Sequence, residues 1–366
     1  MQAQIAARKR ALGRTAAGIA EAIRRDISAG RFQAGQFLSP LRELAQTHEA
    51  DGETVRRALK SIEREGLIAA IPRQGYRVLA RAFDPHLGCP LALIAGGRAQ
   101  VRPLGSMGGL TAAIGNAAER RGWSLLASGT GGRDPDEILA SIRAARAFGI
   151  ILDTENAELV AAVRDSGIPA VMVNSLDSSS RLDSVLQDSF RGGVVAVQHL
   201  VKLGCRRIAW FGNYKQNEHT RTRFGGTSAA MREAGLCFED RLCVAASRED
   251  AQEKARSLLN SRSRPDGVIC LWRSRSLALG RAARELGLRV GHDFQMVGWC
   301  PEELLEDVWF SAWGEEPSPA VVTWSITAMA ETAIARLLER RENPSLVPLR
   351  VSVPVSLHSG DEGGKS

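Results

Sequence analysis

A chain of 366 residues is longer than one typical domain and fits two or three. Hydrophobic residues make up 44% of it, enough for packed cores, yet no apolar run approaches the ~20 residues that span a bilayer. Residues 1–81 hold 15 Lys/Arg against 8 Asp/Glu while the rest holds 33 of each, so the whole excess of +7 sits in roughly the first fifth. Such asymmetry marks a domain that meets a polyanion, with nucleic acid the leading candidate. The basic start "MQAQIAARKRALGRTAAGIAEAIRR" is followed by no uninterrupted apolar core and no small-residue cleavage site, so no secretory signal is expected. Cys89, Cys205, Cys237, Cys243, Cys270 and Cys300 form neither a CxxC pair nor a Cys/His metal spacing. Reduced packing thiols of a cytoplasmic protein are expected, with no metal and no cofactor.

In chain order, "RTAAGIAEAIRRDISAG" (14–30) places Ile19, Ile23 and Ile27 every four residues and ends at Gly30, a short amphipathic helix. In "RFQAGQFLSPLRELAQTH" Gly35 makes a turn, Ser39 suits an N-cap and Pro40 the first helical position, with Leu41, Leu44 and Ala45 on the buried side. The next helix, "ETVRRALKSIEREGL" (53–67), has Val55, Leu59 and Ile62 on one face, Asp51 to cap it and Gly66 to end it. Arg56, Arg57 and Lys60 then point outward, a solvated face or a binding face according to context. "LIAAIPRQGYRVLAR" reads as two short strands around a basic Pro/Gly turn. Three short helices and such a wing make a winged helix-turn-helix, whose last helix enters the major groove while the wing touches flanking backbone.

This run, "IRRDISAGRFQAGQFLSPLRELAQTHEADGETVRRALKSIEREGLI…RQGYRV", resembles the DNA-binding domain of gluconate-repressor-type (GntR) transcription regulators over about residues 14–80. The resemblance implies DNA contacts at Ser39, Arg42, Thr54, Arg56, Arg73 and Gly75; Arg57, Lys60 and Arg77 complete the expected set. There are departures. Ser39-Pro40 inverts the usual order, and Ala50-Asp51-Gly52, with Glu53 next, stands where Val-Ser-Arg is common. An arginine is thus absent and Glu53 would repel phosphate, so the usual operator is not expected.

"AFDPHLGCP" (82–90) is a linker. Beyond it, short apolar runs at 91–96, 124–129, 149–153, 170–174, 207–212, 267–272 and 294–299 alternate with helices near 108–121, 136–147, 156–166, 190–203, 226–235, 250–261 and 275–286. Continuous apolar strands separated by helices indicate a doubly wound parallel α/β arrangement, long enough for two lobes, with a ligand at the carboxyl ends of the strands. Enzyme signatures are missing. "GTGGRD" lacks the spacing and helix start of a dinucleotide loop, and neither a phosphate-binding GxxxxGK[ST], a GxSxG elbow nor an HExxH motif occurs. His199, in "AVQHLVKLG", reads as a packed or half-exposed helix residue, and no catalytic residue is assigned.

"DSVLQDSFRGGVVAVQHLVKLGCRRIAWFG", "RTRFGGTSAAMREAGL", "RPDGVICLWRSRSLALGRAARELGLRVGHDFQMVGW" and "PAVVTWSITAMAETAIARLLERR" resemble, in order over about residues 90–358, the effector domain of lactose-repressor-type (LacI) regulators, related to periplasmic sugar-binding proteins. The resemblance implies ligand contacts at Asn174, Arg223, the pair Ser274-Arg275, and Cys300. In the family that pair is usually Asn-Asp and the Cys300 position Asp, which grip sugar hydroxyls. Here Arg223 would clamp a carboxylate or phosphate. Trp272 and Trp299 either stack on a sugar ring or pack the strand ends. The ligand is therefore anionic, or the pocket has lost its small molecule.

The expected organisation is a winged helix-turn-helix at 1–81, a linker at 82–90, a two-lobed effector-binding and dimerisation domain at 91–358 and a tail at 359–366. The expected function is a homodimeric, cytoplasmic repressor that binds a two-fold symmetric DNA operator under control of a small carbohydrate-derived effector. The alternatives are a regulator that keeps the lobes only for dimerisation, and a sugar-binding protein that does not bind DNA.

Overall fold

The computed structural model describes residues 15–28, 31–33, 35–64, 66–79, 89–96, 106–175, 181–314 and 317–360. Residues 82–88 of the expected linker and 361–366 of the expected tail lie outside the described residues. The chain divides into two compact units, Met1–Pro90 with Ala118–Leu125, and Leu91–Ala117 with Leu126–Ser366.

The first unit contains α1 (Ala16–Ser28), α2 (Leu41–Thr47), α3 (Gly52–Arg64) and the hairpin β1 (Ile68–Ile71) and β2 (Gly75–Val78). Ile19, Ile23, Ile27, Leu44, Val55, Leu59, Ile62, Ile68 and Val78 form one buried cluster, so the four-residue spacing of the isoleucines is a packing face. Asp51 accepts from the Thr54 amide at 2.8 Å and caps α3. At the other end Gly66, with φ 68°, and the Leu67 amide bonded to the Ile62 carbonyl close the helix. Ser39 does not cap α2; Pro40 occupies the cap position and the helix begins at Leu41. The wing pairs antiparallel with Ile68 opposite Val78 and Ile71 opposite Gly75. Residues 35–38 run beside β2, with the Leu38 amide on the Tyr76 carbonyl and the Val78 amide on the Gln36 carbonyl, both at 2.8 Å.

The second unit holds two six-stranded sheets. The first lobe is built on β3 (Leu91–Ala95), β4 (Leu125–Gly129), β5 (Gly149–Asp153), β6 (Ala170–Val173), β7 (Asp183–Gln187) and β13 (Arg350–Val353), in the order β13-β7-β6-β5-β3-β4. The second uses β8 (Ile208–Phe211), β9 (Cys243–Val244), β10 (Gly267–Cys270), β11 (Gln295–Pro301), β12 (Ala320–Trp324) and β14 (Val355–His358), in the order β14-β12-β11-β10-β8-β9. β14 runs antiparallel to β12, whereas β13-β7-β6-β5-β3 and β12-β11-β10-β8-β9 pair in parallel. The helices between them are α4 (Ser106–Arg120), α5 (Pro135–Ala144), α6 (Ala157–Asp165), α7 (Ser189–Lys202), α8 (Glu218–Glu233), α9 (Ala251–Leu259), α10 (Arg273–Glu285) and α11 (Ile326–Glu342). The sheet orders are those of two doubly wound lobes, with β7, β9, β12, β13 and β14 added to the strands expected from sequence.

The chain passes between lobes at Asp188, at Ser325 and at Pro354, which separates β13 from β14. Helix α11 therefore lies on β5, β6 and β7 of the first lobe, although the strand before it belongs to the second. In the second lobe α7 and α8 approach until backbones touch. A Cβ on Gly226 would stand 2.0 Å from the Phe190 carbonyl oxygen, and one on Gly193 2.3 Å from that of Arg223. Only glycine fits either position, and this contact fixes where the backbone of Arg223 runs.

Candidate functional site

Two places concentrate chemistry. On α3 the buried stripe Val55, Ala58, Leu59 and Ile62 leaves Glu53, Arg56, Arg57, Lys60 and Arg64 exposed. Arg56 pairs with Glu53 at 2.6 Å. Arg57 donates to the Thr54 hydroxyl at 3.3 Å and, with Arg24, Lys60, Ser61 and Arg64, lines a groove of about 390 Å³ beside α1. Thr54, expected at the DNA, does not offer its hydroxyl outward. It is 8% exposed, and both its amide and its hydroxyl go to the Asp51 carboxylate. Those hydrogen bonds, the hydroxyl's first, hold the Asp51 carboxyl below its usual range. Ser39 and Arg42 are exposed, as are Arg73, Gly75 and Arg77 of the wing. Arg73 takes φ 63° and Gly75 φ 105°, the left-handed turn that projects the wing tip. Replacing Arg42 by Ala should weaken binding to every DNA sequence alike and flatten the slope of log affinity against log salt by about one unit. Titrations of duplex DNA at several salt concentrations check this; an unchanged slope would remove Arg42 from the interface.

The second place lies at the carboxyl ends of the strands. Asn217 and Thr220 form a capping box that starts α8, which puts Arg223 within the helix. Arg223 is wholly buried. Its guanidinium carbon stands 4.1 Å from the ring centre of Trp299, 5.0 Å from Trp272 and 5.4 Å from Trp324. Among the described residues none of its three nitrogens has a hydrogen-bond acceptor, and neither does the indole nitrogen of Trp299. Burial pulls the Arg223 pKa down to about 9. The Trp299 ring reaches α7 where a Cβ on Gly192 would lie 2.5 Å from it, so the glycine makes room for the indole.

One turn before Arg223, His219 links the lobes. Its Nε2 sits 2.5 Å from the Asn174 carbonyl oxygen and its Nδ1 3.3 Å from the Ser189 hydroxyl. A carbonyl only accepts, so Nε2 carries the proton and Nδ1 accepts from Ser189. Asn174 takes φ 51° to turn its carbonyl this way, and its side chain bonds Asp153 at the end of β5. Burial pushes the Asp153 carboxyl up to about 6. Burial, then the Arg223 charge, pull His219 down to about 4. The unfolded histidine, with a pKa of about 6.5, takes its proton first as pH falls. Stability from His219 is therefore complete above about pH 6.5, declines toward pH 4 and levels off below, by about 3 kcal/mol at most. Asp153 has the opposite sign, stabilising least above about pH 6 because the folded carboxyl holds its proton longer. A His219→Gln variant should lose the first slope and keep the second, becoming less stable as pH rises from 4 to 6. Denaturant midpoints across that range test it, and parallel profiles for the two proteins would refute it.

Arg223, Trp272 and Trp299 are thus gathered, and Asn174 joins them through His219. Ser274 and Arg275 take another direction, on the first turn of α10. Arg275 donates to the Ala246 carbonyl at 3.3 Å and to the Ser274 hydroxyl at 2.8 Å. Ser274 lines a pocket of about 320 Å³ with Arg248, Glu249, Gln252, Arg273 and Arg281. Cys300 faces the opposite side of β11 from Trp299, packed with Leu305, Trp309 and Trp313, its sulfur 3.6 Å from the Leu304 carbonyl. Burial pushes its thiol up to about 12. Cys300 is a core residue, not a lining one. Trp324 and His219 belong to the site although sequence reasoning did not select them; an aromatic residue ending the apolar run "AVVTW" was the available signal for Trp324.

Residues 15–78 match the model of bacterial regulatory proteins of the gntR family, and residues 197–361 that of a periplasmic binding protein-like domain. The HTH-type transcriptional repressor PurR of Vibrio atlanticus (strain LGP32) is 25% identical over 194 residues, 51% of this chain and 58% of that protein. PurR of Glaesserella parasuis serovar 5 (strain SH0165) is 29% identical over 202 residues, 52% and 56%. The chain thus spans little more than half the length of these relatives. Among solved structures, the complex of the transcriptional regulator CelR with cellobiose superposes with a TM-score of 0.63 at 20% identity, over 84% of this chain and 89% of that one. A LacI family regulator from Enterococcus faecium with bound ribose gives 0.60 at 19%, over 74% and 97%. Residues 15–78 of the chain thus match the gntR family of bacterial regulatory proteins, and residues 197–361 a periplasmic binding protein-like domain with similarity to the PurR repressors and the fold of the LacI regulators.

Proposed function

We propose that the chain is a transcription repressor whose hold on an operator is set by a small, anionic, carbohydrate-derived effector at Arg223. The observation that carries the ligand reading is the guanidinium itself: wholly buried, ringed by indoles and without an acceptor among the described residues. Leaving such a cation unpaired is costly, so the site favours a carboxylate or phosphate that completes it. The indole faces suit the apolar face of a sugar ring, and solved proteins of this fold hold cellobiose and ribose. The exposed cations of α3 and the wing support the DNA reading. One winged helix offers few base contacts, so a homodimer on a two-fold symmetric operator is the expected assembly; a sedimenting monomer that protects one asymmetric site would contradict it.

The test is thermal denaturation with a panel of neutral sugars, acidic sugars and sugar phosphates, followed by operator titration with any compound that stabilises. Acidic members should raise the melting temperature and alter operator affinity; equal action by neutral sugars would defeat the anion reading. A second reading rests on the same geometry. The rings of Trp272, Trp299 and Trp324 already surround Arg223, as in a pocket closed by its own side chains and kept for dimerisation. A panel without any effect would favour it.

A further inference from the structure

On the DNA-facing helix the usual first-turn groups are out of play. Asp51 and Thr54 satisfy each other, and Thr54 is buried. Arg57 leans on the Thr54 hydroxyl and toward α1. What remains on the outward face at the start of the helix is Glu53 and Arg56, their side chains 65% and 50% exposed and joined at 2.6 Å. An acceptor and a planar donor fork held this close cannot serve base pairs far apart, because successive pairs are ~3.4 Å apart along the duplex. In the major groove a G·C pair presents two acceptors, guanine N7 and O6, beside one donor, the cytosine amino group. Arginine donates to the first two, and a carboxylate accepts from the third. No other pair offers that order, since A·T alternates acceptor, donor and acceptor.

We propose that Glu53 and Arg56 act as one unit that reads a single G·C base pair, with Arg56 on the guanine edge and Glu53 accepting from the cytosine amino group. The proposal rests on the DNA-binding reading above and assigns Glu53 a recognition role in place of simple repulsion. Its charge opposes phosphate everywhere, so it lowers affinity for arbitrary DNA while rewarding one pair. Such an acid sharpens specificity from both sides.

The experiment is selection from a random duplex library by the full-length protein, followed by titration of duplexes that carry each of the four base pairs at the most constrained position. The wild type should prefer G·C there by about tenfold or more. Glu53→Ala and Arg56→Ala should each relax preference at that same pair and nowhere else, and the double variant should relax it no further. Glu53→Ala should also bind arbitrary duplex more tightly than the wild type, whereas Arg56→Ala should bind it less tightly. Glu53→Gln keeps an acceptor oxygen without the charge and should retain most of the preference, which separates base reading from charge alone. If Glu53→Ala tightens all four duplexes equally and leaves the preference unchanged, Glu53 is only an electrostatic brake and the proposal is overturned. If the two alanine variants relax different pairs, the unit does not exist. If the wild type selects no duplex at all, the DNA-binding reading falls, and this one with it.

Discussion

Replacing Asp183 by alanine should lower the unfolding free energy by about 3–5 kcal/mol, among the largest effects of any single substitution in the chain. Its side chain is fully buried at the start of β7. One carboxylate oxygen accepts from Arg336 Nε at 2.9 Å and from the Leu349 amide at 2.7 Å, and the other from Arg340 Nε at 2.9 Å. The two arginines continue outward, Arg336 to the Val347 carbonyl and Glu339, Arg340 to the carbonyls of Pro344 and Leu346. One carboxylate thus ties β7, α11 and the loop leading into β13, the first-lobe segment just before the third passage between lobes. Its loss leaves two guanidinium groups, 8% and 14% exposed, without their common counter-charge. Asp183→Asn keeps an acceptor for Leu349 but not the charge, and should forfeit most of the same stability. A urea midpoint that falls with an unchanged slope is the expected readout. A loss under about 1 kcal/mol would show that Glu339 and the loop carbonyls hold the arginines without Asp183.

Most of the architecture could be read from the sequence because burial follows the period of each element. The spacing of Val55, Leu59 and Ile62 gave the buried face of α3, and the apolar runs gave the inner strands β3, β5, β6, β8, β10 and β11. Strand β7 was missed because "DSVLQ" is polar by composition; its Asp183 and Ser184 are buried all the same, the aspartate through its arginine partners. The sequence reading places the start of helix α8 near residue 226, after the glycine pair Gly225-Gly226. The helix in fact begins at Glu218, since Asn217 caps it and the glycines permit its contact with α7.

The site was less legible than the fold for a specific reason. In a strand buried on both faces the alternation of side chains leaves no trace in hydrophobicity. Nothing in "VGWC" says that Trp299 turns toward Arg223 and Cys300 toward Trp309. Trp324 suffered the same ambiguity. Arg223 stood out only because a lone arginine beside "FGG" matched a family position, and its lack of an acceptor among the described residues is a property of three-dimensional packing.

That lack leads to an expectation opposite to the usual outcome of core mutation: Arg223→Met should make the ligand-free protein more stable, by about 1–3 kcal/mol. Desolvating an unpaired guanidinium costs several kcal/mol. The indole faces return part of it, about 2 kcal/mol for a well-placed desolvated ring. Only Trp299, at 4.1 Å, is close, while Trp272 and Trp324 stand at 5.0 and 5.4 Å. Methionine fills most of the same volume, keeps sulfur–aromatic contacts of about 0.3–1.5 kcal/mol and brings no polar donor of its own. The desolvation term should therefore win. Thermal denaturation without ligand decides it: a less stable Met variant would mean the rings alone satisfy the cation, and the empty N–H groups would cease to argue for an acidic partner. On the proposed function, adding an acidic effector should reverse the order. At a concentration 1,000 times its Kd the wild type gains about 4.1 kcal/mol, whereas the Met variant has no cation to offer and gains nothing, so the stabilities of the two proteins should cross as effector is added.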